Sequence, residues 1–446
     1  MVPHLERYSS YEQARDEFRL EIPGRFNIAE AACGRHEDAA TRVALIECQL
    51  AGINTYTFGA ISLFSDKFAN VLRGRGVGVG DRVAVSLRQS AALPVAHLGA
   101  LKLGATVVPL PAFLRQSELE FTLRDSSAKT LVIDSLALKQ LRAFTGETPS
   151  VESVFVTSDE MESPEADVGT LNFWREVYDA ASDIETADTQ SSAPAYVFYP
   201  TGREEPGRGV IHGHGLLAAS LPAFEMHNNF DLGPDTVFYS LGNWADVRIL
   251  FGMLYPAWVY GRPVVAGAAW IFVHPDMFEL FERCEVTNLF IEPDEIDTLM
   301  REVSDPWSEY DLKIRNLCAF DSPHLPWIRG SFSASANLAF GPAEAPMVVA
   351  SCERWYAHRS RSWGRPVPGH QVEIIDESGR PLPRGEMGLI AVGRSDPALF
   401  LGYLNDSDAT ESIFTGDWLP TGETGVIDDE GYVRPSLESS GSVKIT

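Results

Sequence analysis

Two histidines separated by one residue form the pattern in this sequence that could bind a metal ion directly. His212 and His214 lie in the strand-like run GVIHGHG, whose alternation would point both imidazoles to one face. A protein zinc site needs three or four ligands, and no third candidate accompanies the pair. We therefore favour packing or pocket lining for the two histidines and expect no metal site.

The loop before these histidines could bind an anion. The stretch from Tyr199 to Gly209 reads YPTGREEPGRG and contains Thr201, Gly202, Arg203 and Arg208. Backbone amides freed by glycine, together with basic side chains, can bind phosphate groups. Glycine, proline and charged residues also mark ordinary exposed turns between strands. The residues alone leave both interpretations open.

Composition argues against two kinds of partner. The 446 residues include 62 acidic and 36 basic side chains, a formal net charge of -26 that repels nucleic acids and anionic membranes. No apolar stretch approaches the ~20 residues of a membrane helix, and the charged start MVPHLERYSSYEQARDEF is unlike a secretory signal. We expect a cytoplasmic protein without a nucleic-acid or membrane partner.

The five cysteines are odd in number, scattered and without CxxC spacing. This pattern predicts reduced, buried thiols rather than a disulfide framework or a zinc site.

The elements that must position these residues alternate between helices and strands. After Phe26, the strand-like run RVALIE precedes an amphipathic helix that ends at glycine, and the strand RVAVSL follows. Helices predicted at Ala92 to Leu103 and Gln116 to Asp125 flank another buried strand, TVVPLPA. Such alternation predicts an α/β fold with a mostly parallel, helix-covered sheet.

Changes in composition and apolar periodicity along the chain predict three subdomains. An acidic, Ser-rich stretch from about Thr157 to Pro194 ends a first α/β unit at 1–192, and a second alternating unit covers 193–363. From Gly364 onward, runs such as HQVEIID and MGLIAVG alternate with period two. We expect a smaller, β-rich subdomain at 364–446.

Further motifs follow the loop in order. They are AFGPAE from Ala339, GRPVPGHQVEIIDESGRPLPRGEMGLIAV from Gly364, FLGYLNDSDAT from Phe400 and GDWLPTGETGVIDDEGY from Gly416. Together they resemble the adenylate-forming (AMP-binding) acyl-CoA synthetase superfamily. The runs FNIAEAACGRH, GVGVGDRVAVSL and HLGALKLGATVVPL resemble its medium-chain and aromatic acid:CoA ligase branch. The resemblance implies the large N-terminal domain of that fold, ending at the hinge without the small C-terminal domain.

An active member of this superfamily joins a carboxylic acid and ATP into an acyl-adenylate, and the thiol of CoA then displaces AMP. Its phosphate loop reads approximately YTSGTTGxPKG. In this sequence Arg208 stands where the family has lysine, while Arg203, Glu204 and Glu205 replace two hydroxyl residues and a glycine. A glutamate ~5 Å from a phosphate costs roughly 3 kcal/mol at an effective dielectric of 20, so the resemblance implies weakened ATP binding.

Other nucleotide-site positions also depart from the family pattern. Phe320 lies where the family has a small Gly-Gly adenine wall, and Glu344 matches the glutamate associated with magnesium. Glu423 replaces the aspartate that holds the ribose, and the arginine that should follow it has no counterpart. At the acid pocket the run LGNWADVRILFGML places Trp244, Asp246 and Arg248 as substrate-binding candidates.

These departures predict a non-catalytic pseudoenzyme with no catalytic residue and no cofactor, acting through a partner chain or a small molecule. The alternative is an acid:CoA ligase with an atypical ATP site, using ATP with magnesium and CoA and completed by another chain. A chain cut at the hinge would explain the ending but not the altered loop. The sequence has no GxxxxGK[ST], GxSxG or strand-linked GxGxxG motif, which argues against general hydrolases and dehydrogenases.

A face left bare at the hinge would need a cover. We therefore expect a homo-oligomer or a complex with another chain. The candidates for the rim of that interface are Trp418, Leu419, Val433 and Pro435.

Overall fold

The computed structural model describes residues 2–49, 52–135, 137, 150–157, 170–200, 207–267, 276–291, 295, 310–319 and 325–436. Within these ranges the strands form three sheets. In chain order they are β1 (Val43–Gln49), β2 (Gly52–Thr57), β3 (Arg82–Ser86), β4 (Thr106–Leu110), β5 (Thr130–Asp134), β6 (Ser153–Thr157), β7 (Thr170–Asn172), β8 (Pro194–Phe198), β9 (Val210–Gly213), β10 (Phe238–Ser240), β11 (Val264–Gly267), β12 (Asn288–Ile291), β13 (Asn316–Ala319), β14 (Ser335–Phe340), β15 (Val349–Ala350), β16 (Arg365–Pro366), β17 (Val372–Ile375), β18 (Gly388–Gly393), β19 (Gly402–Tyr403), β20 (Trp418–Ile427) and β21 (Val433–Pro435).

Helices connect and cover these strands. The α-helices are α1 (Tyr11–Glu17), α2 (Phe58–Gly74), α3 (Ala92–Lys102), α4 (Gln116–Ser126), α5 (Phe173–Asp179), α6 (Leu216–His227), α7 (Val247–Ile249), α8 (Tyr255–Val259), α9 (Asp276–Arg283), α10 (Leu325–Phe332) and α11 (Ser407–Ser412). A 3₁₀ turn lies at Leu5–Arg7, and π-helical turns lie at Glu30–Gly34 and Leu250–Leu254.

The eight-stranded sheet has the order β19-β9-β8-β4-β3-β5-β6-β7. Its strands from β8 to β7 pair in parallel, whereas β9 and β19 add antiparallel pairings at one edge. β4 and β5 are buried along their whole length. This burial is expected of parallel strands with helices on both faces.

The nine-stranded sheet has the order β16-β15-β14-β13-β12-β10-β11-β1-β2, and its centre is also parallel. The remaining four strands form an antiparallel sheet in the order β17-β18-β20-β21. Two large helix-covered sheets and a smaller antiparallel sheet after Gly364 agree with the architecture expected from the sequence. The two large sheets exchange strands across the predicted boundary at 192, because β1 and β2 join the nine-stranded sheet.

α2 shows how local sequence specifies these elements. Thr57 caps the helix, since its hydroxyl accepts a hydrogen bond from the amide of Ala60 at 3.1 Å. Its buried face carries Phe58, Ile61 and Phe68. The amphipathic helix predicted in this region is therefore confirmed.

The apolar segment ILFGMLYPAWVYG does not form one continuous helix. α7 gives way to the π-helical turn at Leu250–Leu254, and α8 begins just before Pro256. Proline has no amide hydrogen, and its ring crowds the carbonyl four residues earlier, so Pro256 disfavours a regular helix here, although Pro222 is accommodated inside α6. Burial of nearly every residue here, rather than amphipathic spacing, stabilises the segment.

Two of the four residues proposed for an interface rim are wrong. Leu419 is 1% exposed and Val433 is 0% exposed, because both pack into the core beneath the antiparallel sheet. Trp418 and Pro435 are half-buried. The prediction of five buried free thiols is confirmed.

Candidate functional site

A cavity of about 590 Å³ lies where several strands end. It is lined by Pro111 after β4, Tyr199 after β8, Gly242 after β10 and Gly341 after β14. In α/β sheets the crevice beyond the carboxyl ends of the strands is the usual position for a ligand. Its volume is in the range of small-molecule sites.

Two of the three residues predicted for the acid pocket line this cavity. Asp246 caps α7 by accepting a hydrogen bond from the amide of Arg248 at 2.7 Å. The guanidinium of Arg248 also binds both carboxylate oxygens of Asp246, at 3.0 and 2.7 Å. Trp244 does not reach the cavity surface, since its side chain is fully buried. A ligand in the cavity would therefore meet Asp246 and Arg248 as an ion pair whose charges already neutralise each other.

The loop after β14 contributes a carboxylate close to the cavity. Glu344 Oε1 accepts a hydrogen bond from the hydroxyl of Tyr403 at 2.6 Å. Tyr403 reaches this position because the short strand β19 pairs with β9, with Tyr403 opposite Val210. Gly341 allows the loop to turn, because a Cβ atom there would lie 2.4 Å from the carbonyl oxygen of Ala345.

The same tyrosine connects Glu344 to Arg208. The Arg208 guanidinium lies 5.8 Å from the centre of the Tyr403 ring, and its Nε donates to Asp406 at 2.9 Å. The structure thus brings together two of the residues predicted for the nucleotide site. Sequence reasoning missed Tyr403 and Asp406, although both lie in the motif FLGYLNDSDAT that supported the family resemblance.

His212 positions the loop that carries Glu344. Its Nε2 donates to the carbonyl oxygen of Ala343 at 2.7 Å. His214 Nδ1 accepts a hydrogen bond from the amide of Ile28 at 3.2 Å. Burial lowers the pKa of both histidines to about 4, so both imidazoles are neutral at pH 7. This geometry agrees with the packing role expected from the sequence.

Tyr199 forms a fixed wall of the cavity just before the predicted phosphate loop. Its hydroxyl donates to Asp125 Oδ2 at 2.6 Å. Burial and the Asp125 carboxylate both raise the pKa of Tyr199, so the phenol stays protonated. Nothing in the sequence pointed to this pairing, because the two residues are far apart in the chain.

Two aromatic rings stack beside the cavity. Phe340 and Trp363 are nearly parallel, with ring centres 3.7 Å apart. Phe340 ends β14 and is followed directly by Gly341 of the cavity wall. One face of Phe340 is therefore covered by the protein itself.

The remaining predicted residues lie elsewhere or outside the described ranges. Glu423 is half-buried on β20 of the antiparallel sheet, where its amide donates to the hydroxyl of Thr421 at 3.3 Å. Thr201, Gly202, Arg203 and Phe320 fall outside the described residues.

A second cavity of about 320 Å³ adjoins the first, and both are lined by Pro111, Gly242 and Glu295. Gln89 supports the smaller cavity, because its Nε2 donates to the carbonyl oxygens of Ser240 and Gly242 at 3.0 and 2.8 Å. The two cavities form one extended cleft.

Comparisons with known proteins agree with this arrangement. The pattern of the AMP-binding enzyme family matches residues 30–404. The chain therefore belongs to the AMP-binding enzyme family, as the sequence motifs predicted.

The chain is similar to several named members of this family. It is 25% identical to benzoate–CoA ligase of Thauera aromatica, covering 96% of this chain and 79% of that protein. It is 23% identical to the mitochondrial acyl-coenzyme A synthetase ACSM3 of Mus musculus, over 96% of this chain and 75% of that protein. The crystal structure of Brucella canis acyl-CoA synthetase superimposes with a TM-score of 0.86 at 22% identity, covering 98% of this chain and 80% of the other. This likeness confirms the expected acyl-CoA synthetase fold.

Two findings on the described residues bear on the expected absence of a membrane span and of a metal site. No helix among the described residues is long and apolar enough to cross a membrane. The described ranges also contain no cluster of three His, Cys, Asp or Glu residues that could hold a metal ion. A magnesium ion that arrives with nucleotide phosphates requires only one or two protein carboxylates. Glu344, which follows Ala343 of the cavity wall, is a carboxylate of the kind that such an ion binds.

Proposed function

We propose that this chain is an acid:CoA ligase with an atypical ATP site, which binds a carboxylic acid in the 590 Å³ cavity and activates it as an acyl-adenylate. The main support is that Asp246 and Arg248 line the cavity, while Glu344 directly follows Ala343 of the cavity wall. Asp246 and Arg248 lie at the acid-pocket end, and the Tyr403–Glu344 pair lies behind the loop at Gly341. Family membership and the named CoA ligases among the relatives support the same reaction class.

In this proposal an oxygen of the acid attacks the α-phosphorus of ATP, the bond to the β-phosphate breaks, and pyrophosphate leaves. Arg208 would stabilise negative charge on phosphate oxygens, which is the usual function of a guanidinium at such a site. Glu344 would bind the magnesium ion that accompanies the nucleotide, and the ion would neutralise phosphate charge. Tyr403 would orient Glu344 through its 2.6 Å hydrogen bond.

The acid pocket can discriminate between substrates by charge. Arg248 is held by Asp246, so the pair carries no net charge, while each side chain remains about 30% exposed. Glu295 adds a negative charge to the same cavity wall. We therefore expect monocarboxylic acids with an apolar body to fit better than dicarboxylic acids.

One observation favours a second candidate, a non-catalytic protein that acts through a partner chain or as a homo-oligomer. Arg208 is paired with Asp406, and Glu344 is bonded to Tyr403. Both groups that would contact nucleotide therefore have protein partners. A site that satisfies its own polar groups has less to gain from binding ATP.

Acid-dependent release of pyrophosphate from ATP distinguishes the two candidates. We expect release with magnesium and an acid panel that includes acetate, hexanoate and benzoate, and we expect Glu344→Gln to reduce it at least ~10-fold, a loss of about 1.4 kcal/mol of transition-state stabilisation. Glu373→Gln is the matched control, because Glu373 lies on β17 and pairs with Arg384 on the antiparallel sheet. No release with any acid, together with no heat of AMP binding in calorimetry, would reject the ligase and favour the non-catalytic candidate.

A further inference from the structure

Two cysteines that are distant in the sequence are in direct contact in the core. Cys48 lies on β1 and Cys284 lies one residue beyond the end of α9, 236 positions later in the chain. Their Sγ atoms are 3.1 Å apart. The side chains are nearly buried, since Cys48 is 7% exposed and Cys284 is 5% exposed. A covalent bond between the sulfurs would require a further approach of about 1 Å.

Regular secondary structure holds both residues in place. Cys48 lies within the parallel pairing of β1 and β11, opposite Gly267. The amide of Cys284 donates to the carbonyl oxygen of Leu280 at 2.9 Å and so continues the last turn of α9. The contact is therefore built into the nine-stranded sheet and its covering helix rather than made by a loose loop.

We propose that Cys48 and Cys284 are a modification site, which a hydroperoxide converts into a disulfide and a thiol reductant restores. The thiolate of Cys48 attacks one oxygen of the hydroperoxide, the O–O bond breaks, and water or an alcohol leaves. This step produces a sulfenic acid on Cys48. The sulfur of Cys284 then attacks the sulfenic sulfur, the S–S bond forms, the S–O bond breaks, and a second water carries away the oxygen and the proton. Two electrons pass from the thiols to the peroxide.

The surroundings assign different roles to the two sulfurs. The hydrogen bond between the two sulfurs, helped by the charge of Arg283, lowers the pKa of Cys48 despite its burial. The same hydrogen bond and burial raise the pKa of Cys284. Cys48 is therefore the attacking thiolate, and Cys284 resolves the sulfenic acid.

The pair lies behind a wall of the smaller cavity. Tyr239 lines this cavity, and the Cys48 and Cys284 sulfurs are close enough to influence the ionisation of its hydroxyl. That hydroxyl lies against Gly267, where a Cβ atom would be only 2.9 Å from it. A disulfide would tie β1 to the end of α9 close to Tyr239. We expect it to restrict motion of this cavity wall.

Peptide mapping of the full-length protein tests the site without any substitution. The protein is treated with hydrogen peroxide, unfolded in the presence of N-ethylmaleimide, and digested. We expect a linked pair of peptides that contain Cys48 and Cys284, loss of labelling at these two of the five thiols, and return of both on treatment with dithiothreitol.

Variants locate the effect. Cys48→Ser should abolish the linked peptide and leave Cys284 open to labelling, whereas Cys318→Ser, which removes a thiol buried elsewhere in the core, should leave the link unchanged. In the protein without substitutions, the cross-link should also raise the melting temperature, because it closes a long loop of the unfolded chain. Peroxide that leaves both thiols open to labelling, or that oxidises Cys48 without forming the link, would overturn the proposal.

Discussion

Two buried histidine sites in this protein have pKa values shifted in opposite directions. His212 on β9 has its pKa lowered to about 4, because burial disfavours the imidazolium and its Nε2 bonds only to the carbonyl oxygen of Ala343. His370, in the segment that leads to β17, is just as deeply buried. Burial acts to lower the pKa of His370 as well, but the charge and hydrogen bond of Asp396 outweigh it and raise the pKa. The neighbour, rather than the depth of burial, decides the direction of the pKa shift.

The two sites hold different parts of the cleft in place. His212 fixes the loop before Glu344, within the large sheets. His370 bonds Asp396 at 2.9 Å and, through Nε2, the carbonyl oxygen of Ala219 on α6 at 3.1 Å. It therefore attaches the β-rich part of the chain to a helix of the preceding part. A histidine with a lowered pKa and one with a raised pKa thus perform similar positioning tasks with opposite responses to pH.

Breaking the charged site should have the largest effect on stability. His370→Ala would leave the Asp396 carboxylate buried without its counter-charge, and we expect a loss of about 3–5 kcal/mol in the free energy of unfolding. Urea denaturation followed by tryptophan fluorescence measures this loss. Asp396→Asn should also destabilise the protein, since it leaves the imidazole without a charged partner.

An exposed ion pair provides the control for this comparison. Arg394 binds Glu411 at 2.7 Å, and both side chains remain largely open to solvent. Because water screens such pairs, Arg394→Ala should barely move the denaturation midpoint. A loss in His370→Ala as small as that in Arg394→Ala would show that the buried pair does not hold the β-rich part in place.

The pH dependence of stability should separate the two histidine sites by sign. His212 and His214 have lowered pKa values, so the folded protein keeps both in the neutral form. The free energy of unfolding therefore decreases as pH falls from about 6.5 toward about 4, by about 3 kcal/mol for each residue. His370 has a raised pKa, so its contribution is present below about 6.5 and is lost as pH rises through its folded value. The pKa of Asp396 is lowered, and its contribution is lost only as pH falls through that low value.

Melting curves between pH 8 and pH 5 measure these opposite responses. His212→Gln keeps a donor near Nε2 but cannot titrate, so it should lose less stability on acidification than the unmodified protein. The gap between the unmodified protein and His370→Gln should instead narrow as pH rises. Parallel pH profiles for all three proteins would contradict the assignment of opposite pKa shifts.

Much of the architecture could be predicted from the sequence because it depends on local pattern. α2, the buried parallel strands and the hairpins after Gly364 follow from apolar spacing and from glycine or proline positions. The packing role of His212 and His214 followed from strand alternation. The break before Pro256 could also have been read from the chemistry of proline.

The contacts that complete the cleft could not be predicted in this way. Tyr403 reaches Glu344 through a strand of two residues that pairs with β9, a pairing that carries no periodicity of its own. Trp363 stacks on Phe340 after a turn between β15 and β16. Leu419 and Val433 alternate like surface strand residues, but the face they occupy packs on the core. Each result depends on tertiary packing, which pattern alone does not encode.

A change in stability smaller than that expected at either histidine site tests the link between the His212 site and the proposed chemistry. Tyr403→Phe removes the hydroxyl that donates to Glu344 at 2.6 Å and leaves the ring near Arg208. One half-buried hydrogen bond is worth about 1 kcal/mol, so the protein should remain folded. Tyr432→Phe is the matched control, because its hydroxyl donates to the carbonyl oxygen of Ala357 at 2.8 Å, well apart in the fold from Glu344.

The two variants should differ in nucleotide binding rather than in stability. If Glu344 binds the magnesium ion that accompanies ATP, losing the Tyr403 hydroxyl removes the hydrogen bond that orients that carboxylate. Calorimetry with ATP and magnesium should then show a several-fold change in affinity for Tyr403→Phe and none for Tyr432→Phe. His212 donates to Ala343, the residue before Glu344, and His212→Gln keeps a donor near this position. His212→Gln should therefore leave the affinity closer to that of the unmodified protein than Tyr403→Phe does. Equal affinities for Tyr403→Phe and Tyr432→Phe would show that Glu344 serves only the packing of β19. The hydrogen bonds around Glu344 would then hold the fold together without positioning a nucleotide.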